Sequence, residues 1–312
     1  MEPLDTARHR RRRHGPPFHC QRMPKASTKA APDIDKLTEE LAADGYLRQR
    51  LKPGLRDHTY LCLTDVLAEV SNFAGPARGS VFDYGCGGAP YETLFEQASR
   101  YVRADILPGP RVQVVLNPDG STAEADASHD CVLSSQVLEH VPNTEAYLRE
   151  CLRILKPGGE LLVTTHGLFE EHACPHDYYR WTGIGLQRAV AQAGFEIVSC
   201  HKLTAGQRGA IQWLHLLVET LRLPKRDFVY YVLAVFRKLY YWFARPCLNW
   251  LGSSFPAQGV LAADDPASIY IGVSVHGRKP RLTNPASEGG RGPVFNQPVK
   301  DAGRARTFLN GG

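Results

Sequence analysis

Between residues 80 and 200, short apolar runs alternate with stretches of helical pattern. No other feature of the chain limits its fold as much. The runs are Ser80–Tyr84, Tyr101–Asp105, Val112–Leu116, Cys131–Leu133, Glu160–Thr165 and Glu196–Cys200. Between them, Asn143 can cap TEAYLRECLRIL, which ends at Pro157-Gly158-Gly159, and Thr182 can cap GIGLQRAVAQA, which ends at Gly194. An Asn or Thr side chain accepts from the unpaired N–H groups of a first turn, and glycine takes the left-handed conformation that closes a last one. Strands separated by helices run parallel, with the helices covering both faces of the sheet. The expected class is therefore α/β. Two more helical patterns, 33–51 and 58–75, precede the alternation, a last strand is expected over 268–277, and no internal repeat is present.

Charge is divided unevenly along the chain. Of the net +5, residues 1–30 contribute +6 (eight Lys/Arg against two acids) and 277–312 contribute +5 (seven against two), which leaves 31–276 at −6. An acidic body does not favour nucleic acid as a partner. The hydrophobic share, 43%, suffices for a sizeable core. The eight cysteines form no C-x-x-C pair, so neither a zinc ribbon nor a disulfide framework is indicated, and a reducing, cytoplasmic setting fits best. RHRRRRHG near the N-terminus has no apolar run behind it and is no secretory signal. Residues 1–32 read as a disordered basic arm, with a transit peptide as the alternative, and 280–312 read as a loose, Gly/Pro-rich tail.

The first strand runs straight into glycine, as VFDYGCGGAP over 81–90. Such a turn lets a ligand approach the backbone at the carboxyl edge of a parallel sheet. A dinucleotide site calls for G-x-G-x-x-G, but Pro90 stands where the third glycine belongs. Asp83 is also awkward beside a pyrophosphate and suits a cationic cofactor better.

The stretch DYGCGGA resembles the first motif of class I S-adenosylmethionine-dependent methyltransferases, D-x-G-x-G-x-G, with Ala89 in place of the last glycine. YVRADI places Asp105 twenty-two residues after Asp83, and NPDG supplies Asp119. DASHDCVLSSQVLEHVPN and LRILKPGGELLVTT resemble the family's fourth strand and its crossover into the fifth, in the manner of the type-11 branch. Ala123-Glu124 stands where the family usually has Leu-Pro.

The resemblance implies a Rossmann-like sheet over residues 33–279, with an N-terminal helical cap and a helical insertion at about 206–262, before the last strand. It implies S-adenosyl-L-methionine as cofactor, held by Asp83, Gly85, Cys86, Gly87, Asp105, Ile106, Asp119, Ser135 and Gln136. In that assignment Asp105 accepts from the ribose hydroxyls, Asp119 lies near the adenine, and Ser135 and Gln136 lie beside the methionine part. Gly88 is expected to leave the backbone bare as well. Cys86 is read as a small packed filler rather than a nucleophile.

The acceptor belongs outside the ends of strands four and five, where the chain reads THGLFEEHACPHDYYRWT over 165–182. Its polar and aromatic density suits a hydroxylated small molecule or glycan, and an Asp-Tyr-x-Arg-Trp-Thr segment after His-Gly resembles one branch of the type-11 enzymes. The expected base is His166, with His176 and Asp177 next. A second reading has Asp177, Arg180 and Trp181 pinning the loop. The spacing H-x5-H-x3-H-D matches no zinc pattern, so no metal is expected.

Before the last strand lies an aromatic-rich insertion in which Pro224 and Pro246 are expected to bracket a helix. At about 100° per residue, Arg226, Asp227, Arg237, Lys238 and Arg245 share one arc. No apolar run reaches the ~20 residues needed to span a bilayer. The helix can serve as a lid, as a dimer contact or as a peripheral membrane contact through 225–245; oligomeric state is open. The sequence thus points to methyl transfer to oxygen of a small-molecule or glycan acceptor. Its rivals are a nicotinamide-dependent oxidoreductase and a non-catalytic, membrane-associated cofactor-binding protein.

Overall fold

The computed structural model describes residues 44–172, 176–221, 228–255, 261–262 and 269–281. The basic arm, the first part of the 33–51 helix, most of the tail, and Pro224, Arg226 and Asp227 lie outside the described residues.

Eight strands form one sheet: β1 (Gly79–Tyr84), β2 (Ala98–Asp105), β3 (Val114–Val115), β4 (His129–Ser135), β5 (Leu155–His166), β6 (Glu196–Ala205), β7 (Leu261–Ala262) and β8 (Tyr270–Arg278), in the order β3-β2-β1-β4-β5-β8-β6-β7. The pairs β1–β2, β1–β4, β2–β3 and β4–β5 are parallel, whereas β8 runs antiparallel to both β5 and β6. This is the mostly parallel, Rossmann-like arrangement expected. Chain order reverses at β1, which has β2 on one side and β4 on the other, so a crevice opens beyond their carboxyl ends.

Alternate residues of the central strands feed two cores. Phe82, Val132, Leu161 and Val163 face helices α3 (Thr144–Ile154) and α4 (Gly183–Gln192), in a cluster with Leu148, Ile154, Leu186 and Val190. Val81, Cys131, Leu133 and Leu162 face α2 (Tyr60–Ala74), which follows the short helix α1 (Asp44–Leu51), and meet Val66, Val70 and Phe73. The period of two in a strand delivers this division, and a sheet covered on both faces needs nearly continuous apolar strands. The expected caps are in place: Asn143 accepts from Ala146 N at 3.1 Å and Thr182 from Gly185 N at 3.0 Å.

Two expectations about the elements are corrected. The helix α3 stops at Ile154, and Leu155 to Gly159 already belong to β5, with Leu155 paired to His129. Nor does Pro246 end a helix. Helix α6 (Phe228–Leu239) passes through a π-helical turn, Tyr240–Ala244, into α7 (Arg245–Ser254), and Pro246 sits in the first turn of α7. Proline lacks an N–H, and the wider turn before it removes the clash with a preceding carbonyl that would otherwise break the helix.

The insertion is fastened to α2 by buried polar groups. Arg208, on α5 (Gly206–Thr220), grips Asp65 through two hydrogen bonds of 2.5 and 3.1 Å, and gives a third to Gly252 O at 2.9 Å. His215 is held between Tyr240 and Asn249, while Asn249 donates to the carbonyls of Leu55 (2.8 Å) and Asp57 (3.0 Å). Arg245 is buried and paired with Glu219, so it is not part of an exposed basic stripe. By contrast, no residue of α6 is buried, with Phe228 81% and Phe236 69% exposed.

Removing one member of a buried ion pair strands the other charge. Asp65→Ala is therefore expected to lower the unfolding free energy by about 3–5 kcal/mol in denaturant titrations, with far-UV dichroism as the probe.

Candidate functional site

The crevice at the chain reversal is a cavity of about 430 Å³. Its floor is the turn after β1. Gly85 and Cys86 both donate to the Ala104 carbonyl, at 2.8 and 2.9 Å, which ties the turn to the end of β2. Gly85 has φ +82°, and a Cβ there would lie 2.6 Å from the Val137 side chain, so only glycine is accommodated. Gly87 is also left-handed, at φ +52°. Gly88 is not among the left-handed residues. Ala89 is, at φ +49°, which explains why a glycine suits that position in the resembled motif.

Asp105, closing β2, accepts from Gly87 N at 2.8 Å through one carboxylate oxygen and from Leu107 N at 3.0 Å through the other. Each oxygen keeps a lone pair for a ligand. Burial raises its pKa, and those backbone donors oppose the rise. Asp83 is buried with a single hydrogen bond, from the Tyr101 hydroxyl at 2.7 Å. Burial pushes its pKa up to about 7; the Tyr101 bond pulls it down, and the charges of Asp105 and Glu92 push further up. Among the described residues, Asp83 thus has no ion-pair partner of the kind a buried carboxylate ordinarily requires.

This donor set fits S-adenosylmethionine: an uncompensated buried acid for the ammonium, a second acid for the sugar hydroxyls, and bare backbone between them. Ile106, Asp119, Ser135 and Gln136 also line the cavity. Asp119 accepts from Ser121 N and Oγ through one oxygen, leaving the other unengaged by those bonds. Gln136 takes φ +58° while donating to Thr164 through its backbone N at 2.8 Å and its side chain at 3.1 Å. Cys86 is buried, and burial raises its thiol pKa well above the ordinary value, in keeping with a packed filler.

Opposite the turn, the end of β5 brings His166 to the cavity. Its ring stacks on Phe169 at 4.1 Å, and its Nε2 lies 3.3 Å from Glu139 Oε1. Burial, reinforced by the neighbouring His172 and Arg180, holds its pKa well below the ordinary range, so it is neutral at pH 7. His176 and Asp177 do not line the cavity. The His176 ring is exposed and its carbonyl accepts from His140 Nδ1 at 2.6 Å. Asp177 binds both terminal nitrogens of Arg180 at 2.5 Å and accepts from His172 N at 2.8 Å. Although burial works to raise its pKa, those donors hold it at about 2. The second sequence reading, in which Asp177 pins the loop, matches this geometry better than the first, since Arg180 holds both of its oxygens and it does not line the cavity.

Sequence reasoning missed Glu139, Arg50, Tyr91 and Phe169. Glu139 is fully buried, accepting from Thr165 Oγ1 at 2.7 Å through Oε2, while its carbonyl takes the N–H groups of Tyr178 and Tyr179. An acid inside the apolar run SSQVLEHV was the signal available. Arg50, Tyr91 and Phe169 line the cavity from segments with no distinguishing pattern.

Residues 55–200 match a family described as "Methyltransferase domain". Over 104 residues the chain is 36% identical to a "Ubiquinone biosynthesis O-methyltransferase" of Xanthomonas oryzae pv. oryzae, covering 28% of this chain and 44% of that one. A "Probable S-adenosylmethionine-dependent methyltransferase" of Mycolicibacterium smegmatis is 37% identical over 73 residues, 23% and 25% of the two chains. The chain spans less than half the length of these curated relatives. Among solved structures, Burkholderia thailandensis 1,6-didemethyltoxoflavin-N1-methyltransferase is similar at 15% identity and a TM-score of 0.44, over 80% of this chain and 86% of that one.

The state of Asp83 is testable without any ligand. An acid with a raised folded-state pKa contributes stability that is complete below its unfolded value of about 4 and is lost as pH rises through about 7, at up to ~1.4 kcal/mol per pH unit. Asp83→Asn is expected to remove that slope. Urea titrations between pH 4 and 8 should show the variant gaining on the native chain as pH rises; parallel curves would contradict the assignment.

Proposed function

We propose, from the match of residues 55–200 to a methyltransferase domain, that this chain is a class I S-adenosylmethionine-dependent methyltransferase and methylates an oxygen of a small-molecule or glycan acceptor. When bound, S-adenosylmethionine supplies an electrophilic methyl carbon on a sulfonium that leaves as a neutral thioether. One observation carries the reading: two carboxylates, the buried Asp83 and the half-buried Asp105, flank a bare glycine turn at the point of strand-order reversal. Asp83 would meet the ammonium, Asp105 the ribose hydroxyls, and Asp119 with Ile106 the adenine end. Gly85, Cys86 and Gly87 would present backbone to the methionine half, with Ser135 and Gln136 beside it.

His166 is the base in this reading. It ends a strand, faces the cavity, and is neutral, so Nε2 can take the proton of an acceptor hydroxyl. Phe169 stacked on the ring fixes its plane and excludes water. An oxygen acceptor is favoured by the name of the O-methyltransferase relatives. Pro90 and the acid at Asp83 weigh against a pyrophosphate, and hence against a nicotinamide cofactor.

In a calorimetric titration, S-adenosylhomocysteine is expected to bind the full chain with one site, and NAD not at all. Asp105→Ala is expected to weaken binding at least tenfold, about 1.4 kcal/mol. Tight NAD binding, or an unchanged Asp105→Ala titration, would refute the reading.

Of the places left open for the insertion, a membrane surface fits best. No helix among the described residues is long and apolar enough to cross a membrane. Yet Phe228, Val229, Tyr231, Val232, Val235 and Phe236 are exposed on α6, followed by Trp242 and Phe243 in the π-turn. Arg237 and Lys238 follow in its last turn, the composition of a helix lying in a lipid interface. In this reading the protein works in the cytoplasm, peripherally at a membrane. Co-sedimentation with vesicles containing anionic lipid is expected for the native chain and lost in Phe228→Ser/Phe236→Ser; equal sedimentation of both would dismiss the surface.

A further inference from the structure

At the acceptor end of the cavity, two segments distant in sequence bring together a carboxylate and three imidazoles. The segment after β4 supplies Glu139 and His140; the end of β5 and the loop beyond supply His166 and His172. One ligand atom from each of Glu139, His140 and His172 falls within 4.8 Å of the others. The ring of His172 lies 5.0 Å from those of both His140 and His166. We infer that Glu139, His140 and His172 form a binding site for a divalent first-row transition metal, with an open coordination position facing the acceptor.

Four observations support the site. Glu139 is fully buried, and its Oε1 has no hydrogen-bond partner although it lies 3.3 Å from His166 Nε2 and 3.9 Å from His140 Nε2. An oxygen so placed costs free energy unless a cation meets it. The His140 tautomer is fixed. Its Nδ1 lies 2.6 Å from the His176 carbonyl, which can only accept, so Nδ1 carries the hydrogen and Nε2 the lone pair. His172 directs Nδ1 toward the Glu170 carbonyl and Asp177 Oδ2, each at 3.4 Å, and so leaves Nε2 for a ligand. Asp177, clamped by Arg180, then completes the carboxylate–imidazole–metal relay usual around such ions. Two imidazoles, one carboxylate and an open position constitute a common catalytic zinc set. Ligand atoms around tetrahedral zinc stand about 3.3 Å apart, so metal uptake draws the three groups slightly inward.

The site deepens the proposed methyl transfer and rests on it for its purpose. A hydroxyl of the acceptor coordinated at the open position would become more acidic, because the cation stabilises the oxyanion left behind. Its O–H bond breaks, the proton passes to His166 Nε2, and the electron pair stays on the oxygen held by the metal. His166 is thereby left as base rather than ligand, and Asp177 becomes a positioning residue for His172. The expectation of no metal considered one segment alone, while two of the three ligands come from another.

The test uses untagged full-length protein stripped with chelator and titrated with Co²⁺ and Zn²⁺. The expected result is one Co²⁺ per chain, with visible d–d absorption that Zn²⁺ displaces. His172→Ala and His140→Ala are expected to lose the absorption, and Asp177→Asn to weaken Co²⁺ by about 10–100-fold. Glu139→Gln probes the third ligand; because Glu139 is buried, thermal melts accompany it, and the two histidine variants decide the matter if it does not fold. S-adenosylhomocysteine calorimetry on the same samples reads the cofactor site separately. Retained affinity for it with no Co²⁺ uptake, or equal Co²⁺ affinity in His140→Ala/His172→Ala, overturns the metal site and leaves the methyltransferase reading standing.

Discussion

The site depends on a pair of hydrogen bonds. Gly85 and Cys86 share the Ala104 carbonyl, so the chain leaving β1 is fastened to the end of β2 before it turns away. That bond pair requires Gly85 at φ +82°, where Val137 leaves no room for a side chain. Once the turn is fixed, Gly87 N reaches the Asp105 carboxylate, and the two acids stand on either side of exposed backbone. Loss of this geometry would leave the crevice at the strand reversal without a floor.

Electrostatics then divides the cavity. At the turn, the buried Asp83 and the half-buried Asp105 have no ion-pair partner among the described residues, an arrangement costly to the ligand-free protein and favourable to a positively charged ligand. At the β5 end, His166 and His172 are kept neutral by burial, and Asp177 is bound to Arg180. A cationic donor at one end and neutral bases at the other is the distribution that a displacement at carbon needs. Proximity, not strong acid or base, supplies much of the acceleration in such reactions.

Much of the sheet was legible because its signals are local. Period-two apolar runs marked β1, β2, β4 and β5, and Asn143 and Thr182 marked two helix starts. The turn with Asp83, Gly85 and Gly87 was legible because glycine's freedom and a lone acid before it are themselves unusual. Pro246 misled because proline stops a helix only where its missing N–H and its ring conflict with the preceding turn, and a π-turn lifts that conflict. Asp177 kept two readings, and Glu139 was missed, for a different reason. Whether a carboxylate is spent on an arginine or left with an orphan oxygen depends on partners brought from other strands, and no spacing rule carries that information.

The unbroken rod from Phe228 to Ser254 has a mechanical meaning. Its outer half offers aromatic rings to the surroundings, while its inner half, through Asn249, holds the carbonyls of Leu55 and Asp57, beside the threshold residues His58 and Thr59. The helical path is continuous through the π-turn, so the outward half and the inner half are joined by backbone hydrogen bonds rather than by a loop. A contact made by the outer rings thus bears, through Asn249, on the chain segment that forms part of the cavity wall.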